Sequence, residues 1–546
     1  MFSVCEGKPL VAYRSRSAYN LAMASRNEMT KAFLLGLGVA LFTLIPYIFA
    51  CTLAPPDQVF SGFLINPVDG FSYLAKMRQG MEGNWVFQLP YTAEAGEGTF
   101  LFVYFLFLGH LAKWTGIQLL HLYHFARIVG ASLMFVTAFI LLSYFIKEKL
   151  IRWSGFSILL LGAGLGWVGI PFGVLASDLW IVESIPFQTA YANSHFPWAT
   201  ACFLGLIILI VSGWKSVWKR NLGIFFLATL LALIQPFSIL VLVLFLTIWM
   251  LWETWIEASS TKGFQWKSGL SEKWIALFIM IASALPWLIY DYWLTIDHPQ
   301  IAAWNAQNIT PSPPLLEFIL GFGASLIVGI VGFIRTDFKS RKSDRLLVVW
   351  CVVQGLMIYA PFGLQRRLSL GLYFALVPIA CLTLHRIMRD SKRVRLAILI
   401  LLLLSIPSNL VVVGSGLFGV GKKDPALMLD VDENESYQWL SNNSESDRLI
   451  LCGPTAGNRI PAFADLRVIY GHPFETVDAE RQKNWVENVY SEEFSTSDGI
   501  SQLSDLGVTY VFYGPEEKGF GEPSWLEGQT LIFSAGDYEI YEISNP

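Results

Sequence analysis

Long apolar runs alternate with short polar segments from residue 32 to residue 414. Runs of roughly 17–25 apolar residues are long enough to cross a bilayer as helices. On that basis the pattern predicts spans at 32–53, 122–146, 154–172, 197–214, 221–234, 238–256, 274–293, 315–334, 346–363, 368–386 and 396–414. The 221–234 run is short, so its helix should begin earlier or tilt. Gly and Pro inside long apolar runs speak against a β-barrel, whose strands are short and alternating. Beyond residue 420 the pattern changes. A helix is predicted over Glu433–Leu440, with strands at Arg448–Cys452, Val508–Tyr513, Thr530–Ser534 and Tyr538–Ile543. The expected fold class is therefore an α-helical polytopic membrane protein of about eleven spans, with a small C-terminal α/β domain.

Composition agrees. The 546 residues are 54% hydrophobic and 15% charged, with mean hydropathy +0.50, whereas soluble domains carry about 25% charged residues. A net charge of −4 gives no reason to expect a nucleic-acid partner. The six cysteines are scattered without metal spacing, and their number does not indicate a disulfide framework. No cofactor motif appears, and a divalent-metal requirement is left open.

Charge sets the expected orientation. Basic residues gather in alternate connections: Arg14, Arg16, Arg26 and Lys31; Lys147, Lys149 and Arg152; Lys215, Lys219 and Arg220; Lys262, Lys267 and Lys273; Arg335, Lys339, Arg341, Lys342 and Arg345; Arg386, Arg389, Lys392, Arg393 and Arg395. The connections 173–196, 235–237 and 294–314 have no Lys or Arg. The positive-inside rule then places the N-terminus in the cytoplasm and, after eleven spans, the C-terminal domain outside the cell membrane. Residues 1–31 are too long and polar for a signal peptide, and the run that follows lacks a cleavage site before Leu53, so the first span is expected to be uncleaved. Segment 99–114, TFLFVYFLFLGHLAKW, would invert every later connection if it crossed. It is expected to lie at the outer surface as an interfacial helix. The chain then divides into a cytoplasmic tail (1–31), a membrane region (32–420, with a first outer loop at 54–121) and an extracytoplasmic domain (421–546).

Against this rule, Arg366 and Arg367 fall on the outer side, beside Gln365. Adjacent arginines at a membrane face suit an anionic ligand such as a lipid-linked phosphate, although snorkelling to headgroups would use them too. Other polar candidates also collect outside. Asp69 stands in Asn-Pro-Val-Asp-Gly-Phe-Ser-Tyr, with Tyr73 at its end, where a carboxylate serves equally as a helix N-cap or as a reactive group. Asp178, Glu183, Asn193 and His195 lie in the second outer loop, where solvation of the loop or a sugar site would use the same residue types. Asp291, Asp297 and His298 lie at the end of the seventh span among interfacial aromatics.

The order of these features resembles the GT-C superfamily of polytopic glycosyltransferases, specifically bacterial proteins of the protein mannosyltransferase and aminoarabinose transferase type. The features are an acidic residue early in the first outer loop (Asp69), a surface helix, Ala126-Arg127 entering the second span, Gln235-Pro236 at an outer hairpin, and the late arginine pair. The resemblance is one of layout over residues 32–414. It implies a polyprenyl-phosphate sugar as donor and a glycan, lipid or protein as acceptor. It makes Asp69 the catalytic base and gives Arg366 and Arg367 the donor phosphate, with Arg127 at the outer mouth of the second span. Tyr73, Glu183, Asn193, His195 and Asp291 are the further substrate-binding candidates. Two departures stand out: Asp69 is single where many relatives have Asp-Glu or Asp-Asp, and the surface helix opens with Gly-Thr-Phe rather than Pro-Pro. The alternatives are a transporter or flippase of a lipid-linked or anionic substrate, and a non-catalytic assembly protein of the same fold.

Overall fold

The computed structural model describes residues 25–543 apart from 95, 261–267, 336, 338, 339, 389, 493 and 495. Of the basic residues noted above, Arg14, Arg16, Lys262, Lys267, Lys339 and Arg389 lie outside the described residues.

Each expected span coincides with helix. Among the described residues, seven helices are long and apolar enough to cross a membrane: Arg26–Leu53, Leu119–Phe145, Val217–Ile234, Phe237–Ser259, Leu270–Asp297, Leu315–Arg335 and Ser391–Gly421. The 221–234 run does begin earlier, at Val217. The run expected at 154–172 is not one straight rod. Helices Lys149–Leu161 and Gly166–Phe172 meet at 50°, because residues 162–165 between them leave the helical path. The three remaining runs match shorter helices, His195–Val211, Lys342–Met357 and Tyr373–Ile387. The chain is thus a multi-pass helical membrane protein. Its large apolar core joins most of these helices, with Phe135, Phe203, Trp249, Trp350 and Tyr373 fully enclosed.

The basic connections meet at one end of the bundle and are tied to one another. Arg152 reaches Glu28 at 2.7 Å, Arg220 reaches Glu272 at 3.5 Å, Arg345 reaches Glu253 at 2.6 Å, and Arg386 pairs with Asp344. Glu28 also closes a capping box with Ser25, which fixes the start of the first helix.

At the other end residues 54–121 include two helices, Pro67–Glu82 and Val103–Thr115. The second has 13 residues. At 1.5 Å per residue it spans about 20 Å, short of the roughly 30 Å hydrocarbon core. It packs directly on Pro67–Glu82 where two glycines permit close approach: a Cβ on Gly80 would lie 2.1 Å from the Leu106 carbonyl oxygen, and one on Gly109 would lie 2.0 Å from that of Met77.

The C-terminal unit is α/β. Strand β1 (Gln58–Phe60), in the first outer loop, pairs antiparallel with β2 (Met428–Asp430). Strands β3 (Arg448–Leu451), β4 (Leu466–Val468), β5 (Val508–Tyr513), β6 (Thr530–Ala535) and β7 (Tyr538–Glu542) form a sheet of order β4-β3-β5-β7-β6. In it β3 runs parallel to β4 and β5, and β7 antiparallel to β5 and β6. The predicted helix runs Val431–Asn443, behind an Asp430/Glu433 capping box. Sequence reasoning missed β4 and the helix Pro454–Phe463. One apolar cluster fuses this unit to the segment after the first span: Phe63, Phe71, Met77 and Phe105 share it with Tyr437, Ile450, Ile460 and Phe512.

Candidate active site

Four segments distant in sequence converge on Asp69. The first is its own helix. Asn66, at φ +48°, turns the chain, Pro67 occupies the first helical position, and Gly83 at φ +118° ends the helix. Asp69 is therefore not the N-cap that the sequence suggested. Asn66 holds that position, and Asp69 sits in the first turn. Helical periodicity places Asp69, Ser72, Tyr73 and Lys76 along one face. Lys76 is fully buried, and its ammonium bonds both carboxylate oxygens of Glu475 at 2.8 and 2.9 Å. Ser72 donates to the same Glu475 at 2.7 Å.

The second segment opens helix His195–Val211. Asn193 approaches the Tyr73 hydroxyl at 3.5 Å. The His195 ring meets Tyr73 edge-on at 5.2 Å. Tyr73 also stacks on Phe105 of the surface helix at 4.6 Å, which fixes its plane. The third segment is the turn Gln365–Ser369. Buried Gln354 holds it by donating to the carbonyls of Leu368 and Leu370, while Gln365 accepts the Ser312 N–H. The turn presents Arg366 and Arg367, both partly open. The Arg366 guanidinium lies 5.0 Å over Trp180 and interacts with the charges of Glu183 and Asp69, while Arg367 acts on Asp69, Tyr73 and His195.

The fourth segment comes from the C-terminal unit. His472 approaches Asp69 Oδ1 through Nε2 at 3.3 Å. Burial alone would push the Asp69 carboxyl up. The hydrogen bond from His472, together with Arg367 and Lys76, outweighs it and holds the group below the ordinary carboxylate range. Asp69 stays ionised near neutral pH and 41% exposed, whereas His472 is 2% exposed.

Sequence reasoning missed Lys76, His472 and Glu475. Lys76 carried a signal: it lies seven positions after Asp69 on the same helix face, and a cation enclosed there requires a partner. His472 and Glu475 lie about 400 positions away, in Gly-His-Pro-Phe-Glu-Thr, and nothing local marks that loop.

Several candidates lie elsewhere. Arg127 does not line the site. It is completely enclosed, donating to Thr43 Oγ1 at 2.9 Å and to the carbonyls of Ala190 and Tyr191 at 2.6 and 2.8 Å, with Tyr47 beneath it. It staples residues 190 and 191 to the first two spans. Asp178 is buried, and its Oδ2 accepts the Gly164 and Gly166 N–H groups at the bent span. Its work is to satisfy amides that the break leaves without helix partners. His298 caps helix Pro299–Gln307 and contacts the Glu97 carbonyl at 2.9 Å. Asp291 and Asp297 lie on helix Ser268–Asp297, apart from this cluster. Among the described residues no group of three or more His, Cys, Asp or Glu side chains is arranged to hold a metal ion.

No family model matches the chain, and a search of curated proteins gives no match. Solved structures do match. The oligosaccharyltransferase of Archaeoglobus fulgidus with a tethered acceptor peptide superposes with TM-score 0.54 at 13% identity, over 95% of this chain and 74% of that one. The same archaeal enzyme, AglB, with an inhibitory peptide and a dolichol-phosphate gives 0.55 at 12% identity, over 95% and 75%. ArnT from Cupriavidus metallidurans bound to undecaprenyl phosphate gives 0.47 at 10% identity, over 96% and 100%. The fold of this chain is therefore GT-C-like, the membrane fold expected from the order of its sequence features.

Proposed function

We propose that the protein is a glycosyltransferase that moves a sugar from a polyprenyl-phosphate donor to an acceptor hydroxyl, with inversion, at the outer face of the cell membrane. In this reading the N-terminus is cytoplasmic, and residues 421–546 form an extracytoplasmic domain. One observation carries the proposal: an ionised carboxylate, Asp69, and two arginines from a turn about 300 residues later share one partly open site. That is the pair of functions this transfer needs. Asp69 takes the proton of the acceptor hydroxyl. The oxygen then bonds to the anomeric carbon, and the carbon–oxygen bond to phosphate breaks with its electron pair. Arg366 and Arg367 stabilise the departing phosphate as its charge grows. That phosphate leaves as an anion and requires no acid. A single displacement inverts the anomeric centre, as in inverting glycosidases. The archaeal oligosaccharyltransferase, of like fold, has been solved with an acceptor peptide and with a dolichol-phosphate, which supports a lipid-phosphate donor class here.

The test is Asp69→Asn, assayed with a panel of undecaprenyl-phosphate monosaccharides by release of undecaprenyl phosphate. Asparagine keeps the size but takes no proton, so turnover should fall roughly 10²–10⁴-fold while donor binding changes little. A folded variant with wild-type turnover would remove Asp69 as the base.

A further inference from the structure

The loop 471–478 enters the site fully braced. Thr476 Oγ1 accepts the N–H groups of Gly471 and His472 at 3.2 and 3.1 Å, and the Thr476 N–H returns to the His472 carbonyl at 3.0 Å. Gln307 accepts the Asp478 N–H at 3.1 Å and donates to the Thr476 carbonyl. Glu475 is fixed by Lys76 and Ser72.

This bracing also dictates the protonation of His472. Its Nδ1 faces two backbone donors, the N–H groups of Phe474 and Glu475, each at 3.1 Å. A nitrogen that accepts from donors carries a lone pair and no proton, so the proton of the neutral ring sits on Nε2. Nε2 is the atom 3.3 Å from Asp69 Oδ1. We infer that His472, carried by the C-terminal unit, is a positioning residue for Asp69. It donates Nε2–H to Oδ1, holds the carboxylate in one rotamer, and leaves Oδ2 to receive the acceptor's proton. The inference rests on the base role proposed for Asp69. It gives the C-terminal unit a direct part in the reaction, because the group that aims the base is on that unit.

The charged and titratable neighbours of Asp69 are His472 from the loop, Tyr73 and Lys76 from its own helix, Arg366 and Arg367 from the turn, and His195 from the second outer loop. His472 itself is faced by Asp69, by Glu475 and by the Tyr91 ring at 5.8 Å. Removing His472 takes away a hydrogen bond that favours the ionised carboxylate while leaving it in a partly enclosed site. Asp69 should then gain its proton at higher pH.

The experiment follows the Asp69 carboxyl by infrared difference titration in nanodiscs, with Asp69→Asn as the blank, in the wild type, His472→Ala and His472→Gln. No donor is needed. In His472→Ala the protonation midpoint should rise by about one pH unit or more. In His472→Gln, whose amide can still donate, it should rise less. Turnover of the same proteins on the undecaprenyl-phosphate monosaccharides should fall most at the acid end and recover toward high pH. An unchanged midpoint in His472→Ala overturns the inference, as does a loss of turnover equal at every pH. If His472→Ala does not fold, ¹⁵N-histidine NMR of the wild type decides: a proton on Nδ1 refutes the assignment, and one on Nε2 upholds it. Wild-type turnover by Asp69→Asn, with the midpoint still shifted by His472→Ala, would instead retire the base role and leave the His472 contact standing.

Discussion

Glu475→Ala should strongly destabilise the packing of the C-terminal unit on helix Pro67–Glu82, although nothing in the sequence marks Glu475. The side chain of Lys76 has no solvent exposure. Its ammonium has Glu475 at 2.8 Å and Ser72 beside it, with the Phe102 ring 4.4 Å away. Removing the carboxylate strands a buried cation, which costs about 3–5 kcal/mol. Removing both charges does not. Lys76→Met with Glu475→Leu should lie within about 1 kcal/mol of the wild type, since an apolar pair of similar volume commonly replaces a buried ion pair without loss. Lys76→Met and Glu475→Leu alone should each cost about 3–5 kcal/mol, so the coupling between the two sites should reach roughly 5–9 kcal/mol, above the roughly 0.5–3 kcal/mol usual for residues in contact. Unfolding by SDS titration in mixed micelles, with trypsin protection of the C-terminal unit, measures all four corners of the cycle. The pH dependence has a definite sign. Burial raises the Glu475 carboxyl, but Lys76, His472 and Ser72 outweigh it and hold the group below its ordinary value. A carboxyl depressed in the folded state stabilises fully above its unfolded value, about 4.3, and loses that contribution as pH falls through the lower folded value. The deficit of Glu475→Gln should therefore be full at pH 7 and shrink below about pH 4. Additive single variants, with a double variant as unstable as their sum, would refute the reasoning.

Arg366→Ala and Arg367→Ala should each weaken binding of undecaprenyl phosphate by roughly 2–5 kcal/mol, the usual cost of truncating a hydrogen-bonded charge pair, and lysine should rescue poorly because it lacks the planar fork. Isothermal titration with both variants checks this, and unchanged affinity in both would reduce the pair to a headgroup anchor. In a cysteine-free background, Glu527→Cys should react with an impermeant maleimide added to intact cells, and Ser340→Cys should react only after lysis; the reverse pattern overturns the orientation.

The membrane helices were legible because each apolar run had to bury itself somewhere, and charge divided the connections by face. The same rule exposed Arg366 and Arg367 as exceptions, and both interact electrostatically with Asp69. Helix caps and breaks were less legible. Asp69 looked like a cap because carboxylates do cap helices, yet the chain gave that position to Asn66 in a left-handed turn. Arg127 was a substrate-binding candidate because the resemblance placed it at the outer mouth of the second span. Its partners proved to be two backbone carbonyls, a threonine hydroxyl and the His124 ring, which no sequence pattern announces. His472 and Glu475 were invisible for a different reason: their role depends on how the C-terminal unit docks. That docking is specified by dispersed apolar residues such as Phe71 and Ile460 rather than by a motif.

The short pairing of Gln58–Phe60 with Met428–Asp430 constrains more than the docking of one unit. Two strands that share hydrogen bonds must lie on the same side of the bilayer. The number of times the chain crosses between Phe60 and Met428 is therefore even, whatever the charge of the intervening connections. The ten crossings expected after the first span satisfy this parity. An eleventh, through Val103–Thr115, would tear the ladder apart. Six residues of backbone thus test the threading of more than 360 others, independently of the distribution of lysine and arginine.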